Sequence, residues 1–292
     1  MTVLMNELSW PEYSARLRDE PVILLPCGAL EQHGPHLPLG VDALLSTAIA
    51  TEVARLVDGL VAHPLTYGYK SMPRSGGGPF FPGTVNLDGS TLSAIVRDII
   101  RELARHGARR ICLIDGHYEN QWFLTEGIDL ALREIPTDSF KVIRLEYWDF
   151  VDDATLKSVF PEGFPGFALE HAAVLETSLM LHLYLHLVRT DLIPDNPPAD
   201  SGTYDVYPPH QHWVPRGGAL SSAKGRDRGK GPDALSTSHR RDREGVTPGV
   251  PGTHIGIANG RQRATSSHSA GQRHDRPALC RSQHVCPVAG AA

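Results

Sequence analysis

Two short, widely separated stretches hold side chains that bind divalent metals. The first, "GALEQHGPHLPLGVD" at residues 28–42, contains Glu31, His33, His36 and Asp42. The second, "DGHYEN" at 115–120, contains Asp115, His117 and Glu119. Glu31, His33, Asp42, His117 and Glu119 together offer two imidazoles and three carboxylates. That mixture suits borderline or hard ions such as Zn²⁺ and Mn²⁺. A carboxylate can bridge two ions, so five ligands can serve two sites. Ions about 3.5–4 Å apart can share a hydroxide, a strong nucleophile near neutral pH. Glu31/His33 and His117/Glu119 each have one residue between them, which on extended backbone puts both side chains on one side. The competing reading makes these residues loop polars that cap helices, with Asp42 as the N-cap of a following helix.

Both stretches follow apolar runs. "PVILLPC" (21–27) reads as a buried strand, and "DALLSTAIATEVARLV" (42–57) has helical spacing. "LVAHP" (60–64) is a second strand, followed by a Gly/Pro-rich loop over 67–89. A helix is expected over 90–107, with Ser90 as N-cap and Gly107 as the stop. "RRICLID" (109–115) reads as a strand, 120–135 as a helix, 140–148 as a strand and 170–188 as a helix. Strands alternating with helices predict an α/β fold with a mostly parallel sheet, with ligands beyond the carboxyl ends of its strands. "EQHGPH", "DGHYEN" and "YWDF" (147–150) all follow strands, so one sheet edge gathers them.

The chain has 292 residues, 41% of them hydrophobic, ample for a sizeable core. No run is long enough to span a membrane, and "MTVLMNELSW" lacks the pattern of a secretory signal. Four scattered cysteines form no CxxC pair, and Cys27 and Cys112 lie in apolar runs as expected for buried thiols. A cytoplasmic protein is expected. The net charge of −5 is uneven: residues 225–292 carry 11 Lys+Arg and 5 Asp+Glu, leaving 17 and 28 for the rest. The body is therefore −11 and the tail +6. The tail has no Phe, Tyr, Trp or Met and reads as low-complexity and disordered. Its lack of aromatics for stacking argues against nucleic-acid binding.

Longer motifs carry a more specific signal. "GALEQHG…VD", "YGYKSMPRSGGG", "FPGT", "IIRELARHGARR", "GHYEN", "EGIDLALRE", "YWDF", "PEGF", "EH" and "ETSLML" resemble the creatininase (creatinine amidohydrolase) family from about residue 6 to 224. The resemblance implies a three-layer α/β/α sandwich, a homohexamer and two divalent ions per subunit, Zn²⁺ and/or Mn²⁺. It implies that Glu31 and His117 hold one ion and His33 and Glu119 the other, with Asp42 as the bridge. The implied reaction is reversible hydrolysis of the cyclic amide of creatinine to creatine, through attack by a metal-bound hydroxide. His171 is the expected proton donor to the leaving nitrogen. Glu170 and Glu176 would orient it or contact substrate. Glu119 is expected to take part in catalysis as well as ligation.

Ser75, Tyr118, Trp148, Phe167 and Glu176 are the expected substrate-contacting residues, with Trp148 an aromatic wall over a flat ring. His36 is expected to support the ligands without binding metal, and His182 and His186 to lie on a surface or interface. Two positions depart from the family pattern. Phe167 stands where the family has Trp, which keeps stacking area but loses an indole N–H. Asp115 stands where Asn is common; its extra carboxylate would tune the ligands or hydrogen-bond the loop.

The expected organisation is an amidohydrolase domain at 1–224 and a tail at 225–292. The family continues with a helix where the tail begins, and a one-base shift with permissible codons allows such a helix here. The tail is therefore read as a frameshift product, and the alternative is a lineage-specific extension. Another family amidohydrolase acting on a formamide or peptide amide is the second functional reading.

Overall fold

A computed structural model describes residues 2–136 and 138–225. The expectations for the tail lie outside the described residues, apart from Gly225. Four parallel strands form one sheet in the order β2-β1-β3-β4: β1 Val22–Cys27, β2 Leu60–Val61, β3 Arg110–Asp115 and β4 Lys141–Glu146. Both faces of the sheet are covered, which is why its strands read as continuous apolar runs rather than alternating ones.

Side-chain alternation divides each strand between two cores. Val22, Leu24, Cys112 and Ile114 face one side. There they pack with Leu45, Ile49 and Val53 of α2 (Val41–Val57), and with Leu179 and Met180 of α6 (Val174–Leu183). Ile23, Leu25, Ile111 and Leu113 face the other side. Their partners are Leu92, Val96 and Ile100 of α3 (Gly89–Arg105), and Leu124 and Ala131 of α4 (Gln121–Leu132). Each fully buried aliphatic side chain contributes about 1.5–3 kcal/mol. The expected α/β/α sandwich is the observed architecture. Cys27 and Cys112 are free, buried thiols. None of the described helices is long and apolar enough to cross a membrane.

Strand order positions the site. From β1 the chain goes to β2 on one flank, then returns to β3 on the other. The loops leaving β1 and β3 diverge, opening a crevice at this switch point. Cys27 pairs with Asp115, and Asp115 with Glu146, so three strands end level.

Several boundaries differ from expectation. Helix α3 begins at Gly89 with Asp88 at its N-cap, not Ser90, while Gly107 follows its end at φ +108. The helix expected over 170–188 shortens to α6 plus a 3₁₀ turn at Leu185–Leu187. Residues 170–173 instead form a turn in which Ala172 has φ +56 and its N–H donates to Glu176 Oε2 at 2.6 Å. Two short helices were not expected, α1 (Trp10–Leu17) and α5 (Asp153–Val159); Asp152 caps the latter by accepting from Thr155 N. His182 is half-buried near the end of α6 and His186 is exposed, both away from the crevice.

Candidate metal centre

Irregular backbone after β1 carries Glu31 and His33 inward, each at most 2% exposed. Asp42 arrives from the first turn of α2, whose N-cap is Gly40, so Asp42 is not the helix cap. His117 follows β3 in extended conformation, whereas Glu119 lies on the 3₁₀ turn Tyr118–Asn120. His117 and Glu119 therefore do not share one extended segment as their spacing suggested.

Asp42 is the hub. Its Oδ1 lies 2.9 Å from His33 Nε2 and its Oδ2 lies 3.1 Å from His117 Nδ1. Glu31 Oε2 stands 3.0 Å from the same His117 nitrogen. Glu31, Asp42 and His117 thus offer one three-atom ligand set, and His33, Asp42 and Glu176 a second. A third set joins Glu31, His33 and His171. The geometry brings Glu176, expected against substrate, to His33 at 3.7 Å from its Nε2. Glu119, the expected partner of His33, belongs to none of the three sets but lines the same pocket. Its Oε1 accepts from Ser75 Oγ at 2.6 Å and Met72 N at 3.1 Å, and its Oε2 lies 3.4 Å from His117 Nε2.

These residues fit a metal pair. His33 Nε2 and Asp42 Oδ2 are fully buried and make no aligned hydrogen bond among the described residues, though polar atoms crowd them. Lone pairs converging at such distances suit a shared cation better than each other.

Protonation of the metal-free site sets how binding depends on pH. Burial pushes Glu31 up to about 7, aided by Glu119 and Asp42 and opposed by His117. Burial alone would lower His33 and His117, but neighbouring carboxylates outweigh it and hold both well above the usual imidazole range. Burial would raise Asp42, but the two histidines pull it well below the usual carboxylate range. Metal uptake must displace these protons, so affinity rises with pH through 7 and above. Each displaced proton weakens binding about tenfold per unit of falling pH. Calorimetric titration of the metal-stripped protein in buffers of different ionisation enthalpy should show proton release at pH 7. Uptake without proton release contradicts the assignment.

The remaining expected residues surround this centre. Ser75, Tyr118, Trp148, Phe167, Glu170, His171 and Glu176 line one pocket with Glu31, Asp42, His117 and Glu119. Trp148 stacks between Tyr118 at 6.4 Å and Phe167 at 6.3 Å, and its Nε1 donates to Glu146 Oε2. Glu170 works as a helix cap, its Oε2 accepting from Leu175 N at 2.7 Å. Burial, with Glu176 nearby, pushes it up to about 8. Asp115 hydrogen-bonds the loop, Oδ1 accepting from His117 N and Asn120 Nδ2, and burial raises it to about 8. His36 bonds Thr177 Oγ1 through Nε2 and belongs to no ligand set.

His171, the expected proton donor, lines the pocket as well. Its Nε2 lies 2.9 Å from the amide nitrogen of Gln32. Burial, then the charge on His33, holds its pKa well below the usual range. A neutral ring donating one hydrogen bond suits this setting better than a proton-delivering imidazolium. Three supporting residues were missed: Gln32; Ser71, whose hydroxyl donates to Glu31 Oε1; and Asn120, which holds Gly28 O. Gln32 and Asn120 stand inside the two ligand stretches, where a polar residue beside a ligand was the available signal.

The family model for creatininase, creatinine amidohydrolase, matches residues 6–240, running past the boundary drawn at 224. Creatinine amidohydrolase of Pseudomonas putida is 54% identical over 235 residues, covering 79% of this chain and 90% of that one. Structures of creatininase with Mn and of a glutamate-to-glutamine creatininase mutant complexed with creatine both superpose with a TM-score of 0.82. Each is 50% identical and covers 84% of this chain and 98% of that chain. By sequence, architecture and the residues at its switch point, this chain belongs to the creatinine amidohydrolase family.

Proposed function

We propose that this chain is a metal-dependent hydrolase that interconverts creatinine and creatine by opening and closing the cyclic amide. The observation that carries the reading is one buried pocket where two carboxylate–histidine ligand sets share Asp42 beneath the Trp148 wall. Glu31, Asp42 and His117 would hold one divalent ion, and His33, Asp42 and Glu176 the other, as Zn²⁺ or Mn²⁺. Such a pair supplies a nucleophile near neutral pH and polarises the substrate carbonyl.

The chain's own groups do the rest. Trp148, Tyr118 and Phe167 offer flat apolar surface to a planar ring. The surrounding carboxylates favour a guanidinium-like ligand. Ser75 and Met72 N anchor Glu119 through Oε1. Glu119 Oε2 takes the proton of the attacking water and returns it to the departing ring nitrogen. His171 donates a hydrogen bond to the developing oxyanion.

Creatine formation from creatinine by the metal-loaded protein tests this. Glu119→Gln should lower kcat by about 10²–10⁴-fold with metal retained. No creatine from a folded, metal-replete wild-type protein sinks the substrate assignment.

A cytoplasmic homohexamer is the proposed setting, and light scattering reads the assembly. Residues 1–224 are the proposed catalytic domain, with 225–292 the product of a frameshift. If no single-base indel near codon 224 restores a helical ending, the frameshift idea fails.

A further inference from the structure

Gln32 lies between two ligands and is 5% exposed. Its amide is fully engaged by three separate parts of the chain. Oε1 accepts from Gly34 N at 2.9 Å. Nε2 donates to Gly76 O at 3.2 Å, in the loop of Ser75, and to Gly218 O at 3.0 Å. The same nitrogen faces His171 Nε2 at 2.9 Å.

The surroundings are shaped for this side chain. A Cβ on Gly77 would strike Gln32 Nε2, and one on Gly218 would come within 2.7 Å of Gln32 Cδ. Two carbonyl oxygens fix the amide's orientation, because flipping it would set its oxygen against both. The NH₂ group shares its two hydrogens among three neighbours and its nitrogen accepts none, so a proton on His171 Nε2 would point at another donor.

We propose that Gln32 is a positioning residue: its amide keeps the proton of His171 on Nδ1 and so decides which ring nitrogen can donate into the pocket. This rests on the reading of His171 as an oxyanion donor. Gln32 thereby ties the Ser75 loop and the 215–220 segment to the orientation of that ring.

The test is ¹⁵N NMR of histidine-labelled, Zn²⁺-loaded protein, with His171→Asn used to assign the signal. The wild type should show an unprotonated Nε2 and a protonated Nδ1. Gln32→Glu and Gln32→Met should shift the ring toward Nε2–H and lower kcat about 10–100-fold with KM within threefold. A protonated Nε2 in the wild type overturns the proposal, whatever the variants do. So does a folded variant with the altered tautomer and undiminished kcat. The tautomer is read without substrate. A wild-type protein with the expected tautomer that makes no creatine therefore counts against the substrate assignment, not against Gln32.

Discussion

Asp42→Asn should reduce creatine formation by about 10³-fold or more and leave fewer than two tightly held ions per chain. Asp42 is common to two of the ligand sets, its oxygens 2.9 Å and 3.1 Å from the two histidines. An amide supplies no negative charge and one acceptor where two are used. Losing several kcal/mol of transition-state charge stabilisation corresponds to that factor. The effect extends to the metal-stripped protein. There Asp42 neutralises His33 and His117, whose raised pKa values stabilise the fold at low pH and lose that contribution as pH rises through them. Without Asp42, two buried imidazolium groups lose their shared partner, a cost of about 3–5 kcal/mol. The metal-free variant should therefore lose more stability at pH 6 than at pH 8. Metal content and thermal melts at both pH values check this. Full metal occupancy with near-normal turnover would remove Asp42 from the centre.

Gly28→Ala is expected to be nearly as damaging, though Gly28 bears no chemistry. A Cβ there would lie 2.6 Å from Ala43 Cα and 2.8 Å from Asp42 C. Both atoms are backbone in the first turn of α2, so no rotamer change relieves the clash. Either β1 or α2 must move, at about 1–3 kcal/mol. Asp42 moves with α2, and about 1 Å of misplacement at a reacting centre can cost about 10²-fold in rate. Gly116 makes the matching approach from β3, where a Cβ would lie 2.6 Å from Asp42 O. Gly40→Ala is the control: nothing lies within 4 Å and its φ is −98, so no clash arises, and as the N-cap of α2 it should lose only about 0.5–1 kcal/mol with Asp42 left in place. Equal turnover in Gly28→Ala and wild type would mean that α2 does not set the Asp42 position.

Much of this was legible in the residues. "VILLPC" and "RICLID" are buried strands because both faces of a parallel sheet are covered, so their order in the sequence already announced the fold class. The ligand types were equally plain, since imidazoles and carboxylates on irregular backbone past two strands have few structural uses. Element ends were less so. The helix expected from Glu170 starts at Val174 because Glu170 and Glu176 spend their carboxylates on backbone N–H groups of the preceding turn and the helix start.

By itself the sequence determined the α/β alternation, the ligand chemistry and, through its longer motifs, the family. The tertiary structure alone decided two of the contacts. It set Glu176 3.7 Å from His33 Nε2 and Gln32 2.9 Å from His171 Nε2, contacts that no local pattern announces. Local pattern reports what a residue does within its own strand or turn. Which side chains meet across a crevice depends on distances between segments far apart in the chain, and those follow from strand order and from where the glycines let the backbones touch.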